Sequence, residues 1–141
     1  MASGREILEH WFQRVWAEES DEAITEMFRP DGQASGLGAD ELQGPAEFKA
    51  FRDALLGLMK DVRIVIRDHF ENETMNAAIC TLNARCRRTD KEVVLDGCCY
   101  YRVEDGFITR ADNYWNFMEL FEQLGCVPEG SFAAALGGHP A

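Results

Sequence analysis

The sequence has little positive charge. Its 141 residues include 14 Lys and Arg against 25 Asp and Glu, which gives a formal net charge of -11. Nucleic acids and anionic membranes attract proteins through clustered Lys and Arg, so we expect neither as a partner. The one basic cluster lies in residues 85–91 and is diluted by Asp90. We interpret it as a solvated hairpin tip.

The sequence also lacks a long hydrophobic run. No window approaches the length and apolarity of a membrane-spanning helix. The first ten residues, MASGREILEH, contain no apolar segment of the signal-peptide type. From these features we expect a cytoplasmic protein.

Histidine is scarce, and the cysteines show no metal-binding spacing. The three histidines are His10, His69 and His139, and no C-x-x-C motif is present. A zinc site is therefore not expected, and the sequence predicts neither a metal nor a cofactor. The five cysteines are Cys80, Cys86, Cys98, Cys99 and Cys126. Their odd number, and the placement of four of them in predicted strands, favour reduced thiols.

Hydrophobic periodicity changes along the chain from a helical to a strand pattern. Apolar residues spaced by three and four predict helices over 5–18, 22–28, 45–60 and 117–124. Alternation and β-branched residues predict strands over about 61–71, 75–88, 92–103 and 107–115, with a short edge strand within 32–44. We expect one domain over residues 1–125 and a loosely ordered tail over 126–141.

Grouping helices early and hairpins late predicts an α+β fold. Long antiparallel strands accumulate twist, so the sheet is expected to curve. The helices would then pack on its concave face and close it into a cone.

Three local motifs, in this order, resemble the SnoaL-like polyketide-cyclase family of the nuclear-transport-factor-two-like superfamily. The first is Gly44-Pro45-Ala46-Glu47-Phe48-x-x-Phe51, at the start of a helix. The second is Tyr101-Arg102-Val103-Glu104-Asp105-Gly106-Phe107-Ile108, a hairpin with an acidic turn. The third is Asn113-Tyr114-Trp115-Asn116 followed by Leu120-Phe121-x-x-Leu124-Gly125. The resemblance covers about residues 5–125 and implies a cystatin-type α+β roll with a pocket at its wide end. It also implies a homodimer formed through the outer sheet face.

The ketosteroid-isomerase branch of this superfamily has a similar layout, but its catalytic residue types are missing here. The resemblance places that branch's base Asp in residues 34–37, which hold no carboxylate. Its second Asp falls near Cys98 or Cys99, and its Tyr falls near Val15 or Trp16. Isomerase chemistry of that type is therefore not expected.

Two residues are candidates for acid–base catalysis. Asp112 is the only carboxylate in the segment that matches the pocket-lining strand of the SnoaL-like cyclases. A surface or dimer-interface charge is the alternative interpretation. His69 lies among apolar residues of a predicted strand, and an imidazole titrates near neutrality. A hydrogen-bonded histidine at a strand end is the alternative there.

Alternation along the last strand predicts which of its residues face a ligand. Ala111, Asn113 and Trp115 share one face, and Asp112 shares the other with Tyr114. The resemblance assigns Trp115 to the pocket wall, which would direct Asn113 to the ligand and Asp112 outward unless a bulge intervenes. The predicted ligand-binding residues are Trp16, Phe51, Tyr101, Asn113 and Trp115, with the Tyr101 hydroxyl orienting a carbonyl.

Three functions remain open at this point. The first is a SnoaL-like protein that binds a small apolar molecule in a conical pocket. The second is an acid–base enzyme of the cyclase, isomerase, dehydratase or hydrolase type, acting on an apolar carbonyl compound. In that case Asp112 or His69 would be the base, and Tyr101 or Asn113 the donor. The third is a non-catalytic dimerisation or docking module.

Overall fold

A computed structural model describes residues 2–138, which form six helical segments and one six-stranded sheet. The helical segments are α1 (Gly4–Trp11), a π-helix (Phe12–Ala17), α2 (Asp21–Met27), α3 (Gly44–Leu56), α4 (Phe117–Gln123) and α5 (Ser131–Leu136). The strands are β1 (Phe28–Ser35), β2 (Leu42–Gln43), β3 (Met59–Asn72), β4 (Met75–Cys86), β5 (Glu92–Glu104) and β6 (Phe107–Trp115). No helix among the described residues is long and apolar enough to cross a membrane.

The strand order in the sheet is β2-β1-β6-β5-β4-β3. Strands β3 to β6 form an antiparallel meander, as the sequence predicts. β1 joins the meander by parallel pairing with β6, so the sheet is not wholly antiparallel. The helices pack on the concave face of this curved sheet, and the α+β fold class is confirmed.

The first helix begins with a capping box. The Ser3 hydroxyl accepts a hydrogen bond from the Glu6 backbone N–H, and the Glu6 carboxylate accepts one from the Ser3 N–H. These two bonds satisfy donors that would otherwise be unpaired at the helix start. The sequence predicts one regular helix over 5–18, but Phe12–Ala17 is a π-helix. At the end of the π-helix, the Glu18 N–H donates to the carbonyl of Gln13, five residues earlier, at 2.8 Å.

A buried arginine fastens α3 to the chain between the π-helix and α2. Only 2% of Arg52 is exposed. Its guanidinium donates to the carbonyls of Val15 and Ser20 at 3.4 and 3.1 Å. It also donates to Asp53 at 2.9 Å and to Asp21. Burial alone would lower the pKa of Arg52, but the bonds to Asp21 and Asp53 raise it above the ordinary value.

Element boundaries differ from the sequence prediction at three places. β1 begins at Phe28, before the 32–44 segment in which an edge strand is predicted, and it includes Pro30 where the pairing with β6 is irregular, between Phe28 and Gln33. α3 ends at Leu56 rather than Lys60, since Met59 and Lys60 already pair with β4. The tail contains the short helix α5. Residues 139–141 of the predicted tail lie outside the described residues, and the domain division stays a prediction.

Candidate functional site

An apolar cavity lies between the concave face of the sheet and helices α1, α3 and α4, together with the π-helix. Its volume is about 80 Å³. Aromatic side chains dominate the wall on the helix side, led by Trp11, Trp16, Phe48, Phe51 and Phe117. No Asp, Glu, Lys, Arg or His is among the lining residues. Part of the cavity wall reaches the surface, because these lining residues are only half-buried: Leu37, Phe51, Ile64, Ala111, Asn113, Trp115 and Phe117.

From Ala111 onward, strand β6 contributes every second residue to this cavity. Ala111, Asn113 and Trp115 line it, and they pair across the sheet with Tyr101, Cys99 and Gly97 of β5. The irregularity in this pairing lies between Arg102 and Val103, which is before this stretch of β6. The alternation therefore runs undisturbed to the end of the strand, and the sequence-based assignment of faces is correct.

All five residues predicted to face a ligand line the cavity: Trp16, Phe51, Tyr101, Asn113 and Trp115. Ligand binding by them stays a prediction. The sequence did not predict Phe48, which belongs to the first of the three motifs, or Phe117 as residues of the site. The cue for Phe117 was its position directly after Asn116, which caps α4 by accepting from the Glu119 N–H and so fixes where that helix starts.

Trp115 lies flat over a glycine of the neighbouring strand. A β-carbon added at Gly97 would lie 2.3 Å from two carbons of the Trp115 ring. The two residues form a direct cross-strand pair, so the absence of a side chain at 97 makes room for the indole. One indole face is thereby covered by backbone, while Trp115 also lines the cavity.

We expect Gly97→Ala to lower the free energy of unfolding by about 1–3 kcal/mol, the usual cost of overpacking. In a Trp115→Leu background the ring is gone. The same change should then be neutral or stabilising by about 0.5–1 kcal/mol, because alanine restricts the unfolded chain more than glycine does. Urea denaturation of the four proteins in this cycle measures both values. An equal cost in both backgrounds would show that contact with the Trp115 ring is not the reason why alanine is unfavourable at position 97.

The candidate acid Asp112 lies on the opposite face of β6 from the cavity. Its carboxylate accepts from Arg110 at 2.9 Å and from the Ser35 hydroxyl at 2.6 Å. The bond from Arg110 lowers the pKa of Asp112, with Ser35 acting in the same direction and burial opposing them. A carboxylate that lies outside the cavity, with a lowered pKa, does not fit acid–base catalysis on a molecule inside it. The alternative interpretation of Asp112, a charge on the outer face, agrees with its position.

The candidate base His69 is engaged with Tyr101 rather than with the cavity. The Tyr101 hydroxyl donates to the Gly4 carbonyl at 2.7 Å, and His69 Nε2 lies 3.0 Å from the same hydroxyl oxygen. Because Tyr101 has one proton to donate, His69 Nε2 is the donor in the second bond. Burial raises the pKa of Tyr101, so its hydroxyl stays protonated. The Tyr101 ring lines the cavity, but its hydroxyl is not free to orient a carbonyl.

Among residues 2–138, Asn113 is the only carboxamide that lines the cavity. Its Nδ2 donates to the backbone carbonyl of Ser35 at 3.0 Å and to that of Ala111 at 3.4 Å. Both partners are acceptors, which fixes the amide orientation with nitrogen toward them. The end of β1 is tight against this residue. A β-carbon at Gly36, whose φ is +78°, would lie 1.8 Å from the Asn113 carbonyl oxygen.

The described residues contain no cluster of three or more His, Cys, Asp or Glu side chains placed to hold a metal ion. Within the same part of the chain, the cavity has aromatic surface, aliphatic surface, one thiol from Cys99 and the Asn113 amide. This arrangement suits the enclosure of an apolar molecule.

Comparison with known proteins gives the family. Residues 8–111 match the model of the SnoaL-like domain. No curated protein matches the chain by sequence.

Among solved structures, IdmH from Streptomyces antibioticus, a proposed polyketide cyclase, is 13% identical. That match covers 88% of this chain and 99% of that one, with a TM-score of 0.76. A protein from Catenulispora acidiphila with a ketosteroid isomerase-like fold, in complex with trimethylamine, is 15% identical. There the coverage is 87% and 95%, with a TM-score of 0.74. TerC, co-crystallised with polyporic acid, is 19% identical over 86% of this chain and 96% of its own, with a TM-score of 0.71.

These structural likenesses show a shared fold, and the domain match covers most of the chain. The chain belongs to the SnoaL-like domain family.

Proposed function

We propose that this protein binds a small, uncharged, apolar molecule in the cavity between the sheet and the helices. The observation that carries the proposal is the composition of the cavity wall, which has no charged side chain among its lining residues. A charged ligand would lose its hydration there without gaining a counter-charge, whereas an apolar ligand loses little.

The aromatic wall supports binding of a flat group. Trp11, Trp16, Phe48 and Phe51 pack against one another with ring centroids 4.9–6.4 Å apart, two of the four pairs edge to face and two tilted. Trp115 has no such aromatic neighbour among residues 2–138. With Gly97 beneath it, its ring offers a stacking surface to a ligand.

The volume sets a limit on size. An apolar cavity of about 150 Å³ holds benzene, and this one measures about 80 Å³. The enclosed space is smaller than that, so a molecule of one ring would also have to occupy space between the half-buried side chains of the wall, and a larger molecule does not suit it. Two proteins of the same fold hold small organic molecules, trimethylamine in one case and polyporic acid in the other. They support the use of this fold for ligand binding but do not identify the ligand of this chain.

The proposal predicts that toluene binds to the native protein and not to a variant with a filled cavity. Ala111→Leu adds three carbons to the wall of the cavity, while Ala50→Leu makes the same change on the exposed face of α3. Titration followed by the melting temperature and by tryptophan fluorescence should show binding to the native protein and to Ala50→Leu. Weakening by at least about tenfold is expected in Ala111→Leu, equivalent to about 1.4 kcal/mol.

Circular dichroism of both variants checks that they fold. The proposed function fails if toluene does not bind the native protein up to its solubility limit. It also fails if Ala111→Leu binds toluene as well as Ala50→Leu does.

Acid–base turnover is less well supported than binding. Neither Asp112 nor His69 lines the cavity, and no other carboxylate or imidazole does so among the described residues. The Tyr101 hydroxyl and the Asn113 amide nitrogen, the expected donors, are both bonded to backbone carbonyls. A carbonyl compound in the cavity would therefore meet neither a base nor a free donor from these four residues.

We also propose that two copies associate through the outer face of the sheet. That face presents Ile79, Tyr100 and Tyr114 with 48%, 48% and 64% of their surface exposed. Ile79 and Tyr114 flank Cys98 in one cross-strand row, so the apolar surface is contiguous. Sedimentation at micromolar concentration should give the mass of a dimer, and a monomer mass would contradict this.

A cytoplasmic location is the remaining proposal. All five cysteines are free, and Cys98 and Cys126 are exposed. Unpaired, accessible thiols persist in a reducing compartment. Fractionation of the source cells, with the protein found outside the soluble cytoplasmic fraction, would overturn it.

A further inference from the structure

We infer that the cavity selects a ligand with a hydrogen-bond donor, such as a phenol, whose proton is accepted by Asn113 Oδ1. This inference rests on the proposed function and specifies the chemical class of the ligand. The sequence alone pointed the other way, to a carbonyl compound that would need a donor from the protein. The difference arises because the Tyr101 hydroxyl and the Asn113 amide nitrogen already donate to backbone carbonyls.

Within the described residues, the side-chain amide of Asn113 forms hydrogen bonds through its nitrogen but not through its oxygen. Its nitrogen is committed to the carbonyls of Ser35 and Ala111. No hydrogen bond is made to Asn113 Oδ1 within the described part of the chain, yet this oxygen is not fully buried. A carboxamide oxygen is a strong acceptor, so it is available to a donor from the ligand.

The orientation of this amide is held by the main chain. Ser35 ends β1, and its register partner is Asp112, which precedes Asn113. Gly36 then turns the chain against the Asn113 backbone with a left-handed φ. Rotating the amide would place its oxygen against two carbonyl oxygens, which is repulsive. The acceptor is therefore set by the β1–β6 pairing rather than by a mobile side chain.

The other polar side chain with an oxygen at the cavity does not compete for a donor. The Tyr101 oxygen already receives the His69 Nε2–H and gives its own proton to Gly4. The Cys99 sulfur is a weak acceptor. A donor on a ligand that stacks on Trp115 has Asn113, two residues away on the same face of β6, as its natural partner.

The test compares phenol with benzaldehyde and toluene. All three carry one substituent on a benzene ring, but phenol presents a donor, benzaldehyde an acceptor and toluene neither. We expect phenol to bind the native protein at least about tenfold more tightly than benzaldehyde, the effect of one well-placed hydrogen bond. Asn113→Leu should abolish this preference, so that phenol and benzaldehyde bind the variant within about twofold of each other. Toluene is measured on both proteins as the reference compound that forms no hydrogen bond. Calorimetric titration measures all six affinities.

Toluene also reports whether the Asn113→Leu cavity still forms. If that variant does not fold, the comparison of phenol with benzaldehyde in the native protein decides alone. Equal affinities there, or tighter binding of benzaldehyde, would overturn the inference while leaving the proposed function in place. Failure of all three compounds to bind the native protein would overturn both.

Discussion

Replacement of Phe48 by alanine is expected to lower the free energy of unfolding by about 3–5 kcal/mol, the range for truncating a buried aromatic side chain. Phe48 is 5% exposed and lies at the centre of the helix-side aromatic cluster. Its ring centroid lies 4.9 Å from that of Trp11 and 6.2 Å from that of Trp16. Phe28 and Phe51 lie at 5.9 and 6.2 Å. Truncation removes these four contacts and opens the wall of the cavity.

Urea denaturation followed by circular dichroism measures this loss. Phe132→Ala is the matched control, because 58% of Phe132 is exposed, and its truncation should change stability by no more than about 0.5 kcal/mol. Phe48→Leu keeps most of the apolar volume and should cost less than about 1.5 kcal/mol, as for volume-conserving core changes. Similar values for Phe48→Ala and Phe132→Ala would mean that the cluster does not support the fold as described.

Arg52→Met is expected to cost about 2–4 kcal/mol, because the methionine fills the space of the aliphatic stem but cannot donate. Removing one partner of a buried ion pair costs about 3–5 kcal/mol when the remaining charge stays buried. Here the carboxylates of Asp21 and Asp53 are 61% and 44% exposed, so water can solvate them. The cost should therefore come mainly from the carbonyls of Val15 and Ser20, which lose their donor.

Lys49→Met is the control on the same helix. Lys49 lies 2.6 Å from Asp53, but its side chain is 44% exposed, so its loss should cost less than about 1 kcal/mol. Arg52→Lys keeps the charge and loses the fork geometry, and we expect it to fall between the two. Urea denaturation ranks the three variants. If Arg52→Met were no more destabilising than Lys49→Met, the link between α3 and the end of the π-helix would carry no stability.

The sequence was sufficient where local signals agreed with one another. Gly106, with φ of +81°, closes the β5–β6 hairpin after Asp105, and Asn116 caps the helix that follows β6. Alternation along β6 then separated Asn113 from Asp112 correctly, because the bulge that could have reversed the faces lies earlier, near Val103. Period, turn chemistry and capping are all readable from neighbouring residues.

Features that depend on distant partners could not be read in this way. The π-helix after Trp11 has the same apolar spacing as a regular helix, and it is defined by a bond from Glu18 to Gln13. Proline usually ends regular secondary structure because it has no N–H to donate. Pro30 nevertheless lies in β1, whose partner is the distant strand β6. The use of the Tyr101 hydroxyl was equally hidden, since Gly4, which accepts its proton, is 97 residues away.

The pairing of β1 with β6 also has a consequence for how the protein is made. Ser35 and Asp112, which are joined across these strands, are 77 residues apart in the chain. At about 5–20 residues synthesised per second, β1 leaves the ribosome roughly 4–15 s before its neighbour exists. During that interval one side of β1 has no β6 to pair with, while the meander of β3 to β5 can already assemble. The pairing of β1 with β6 can therefore form only after β6, the last strand of the sheet, has been synthesised.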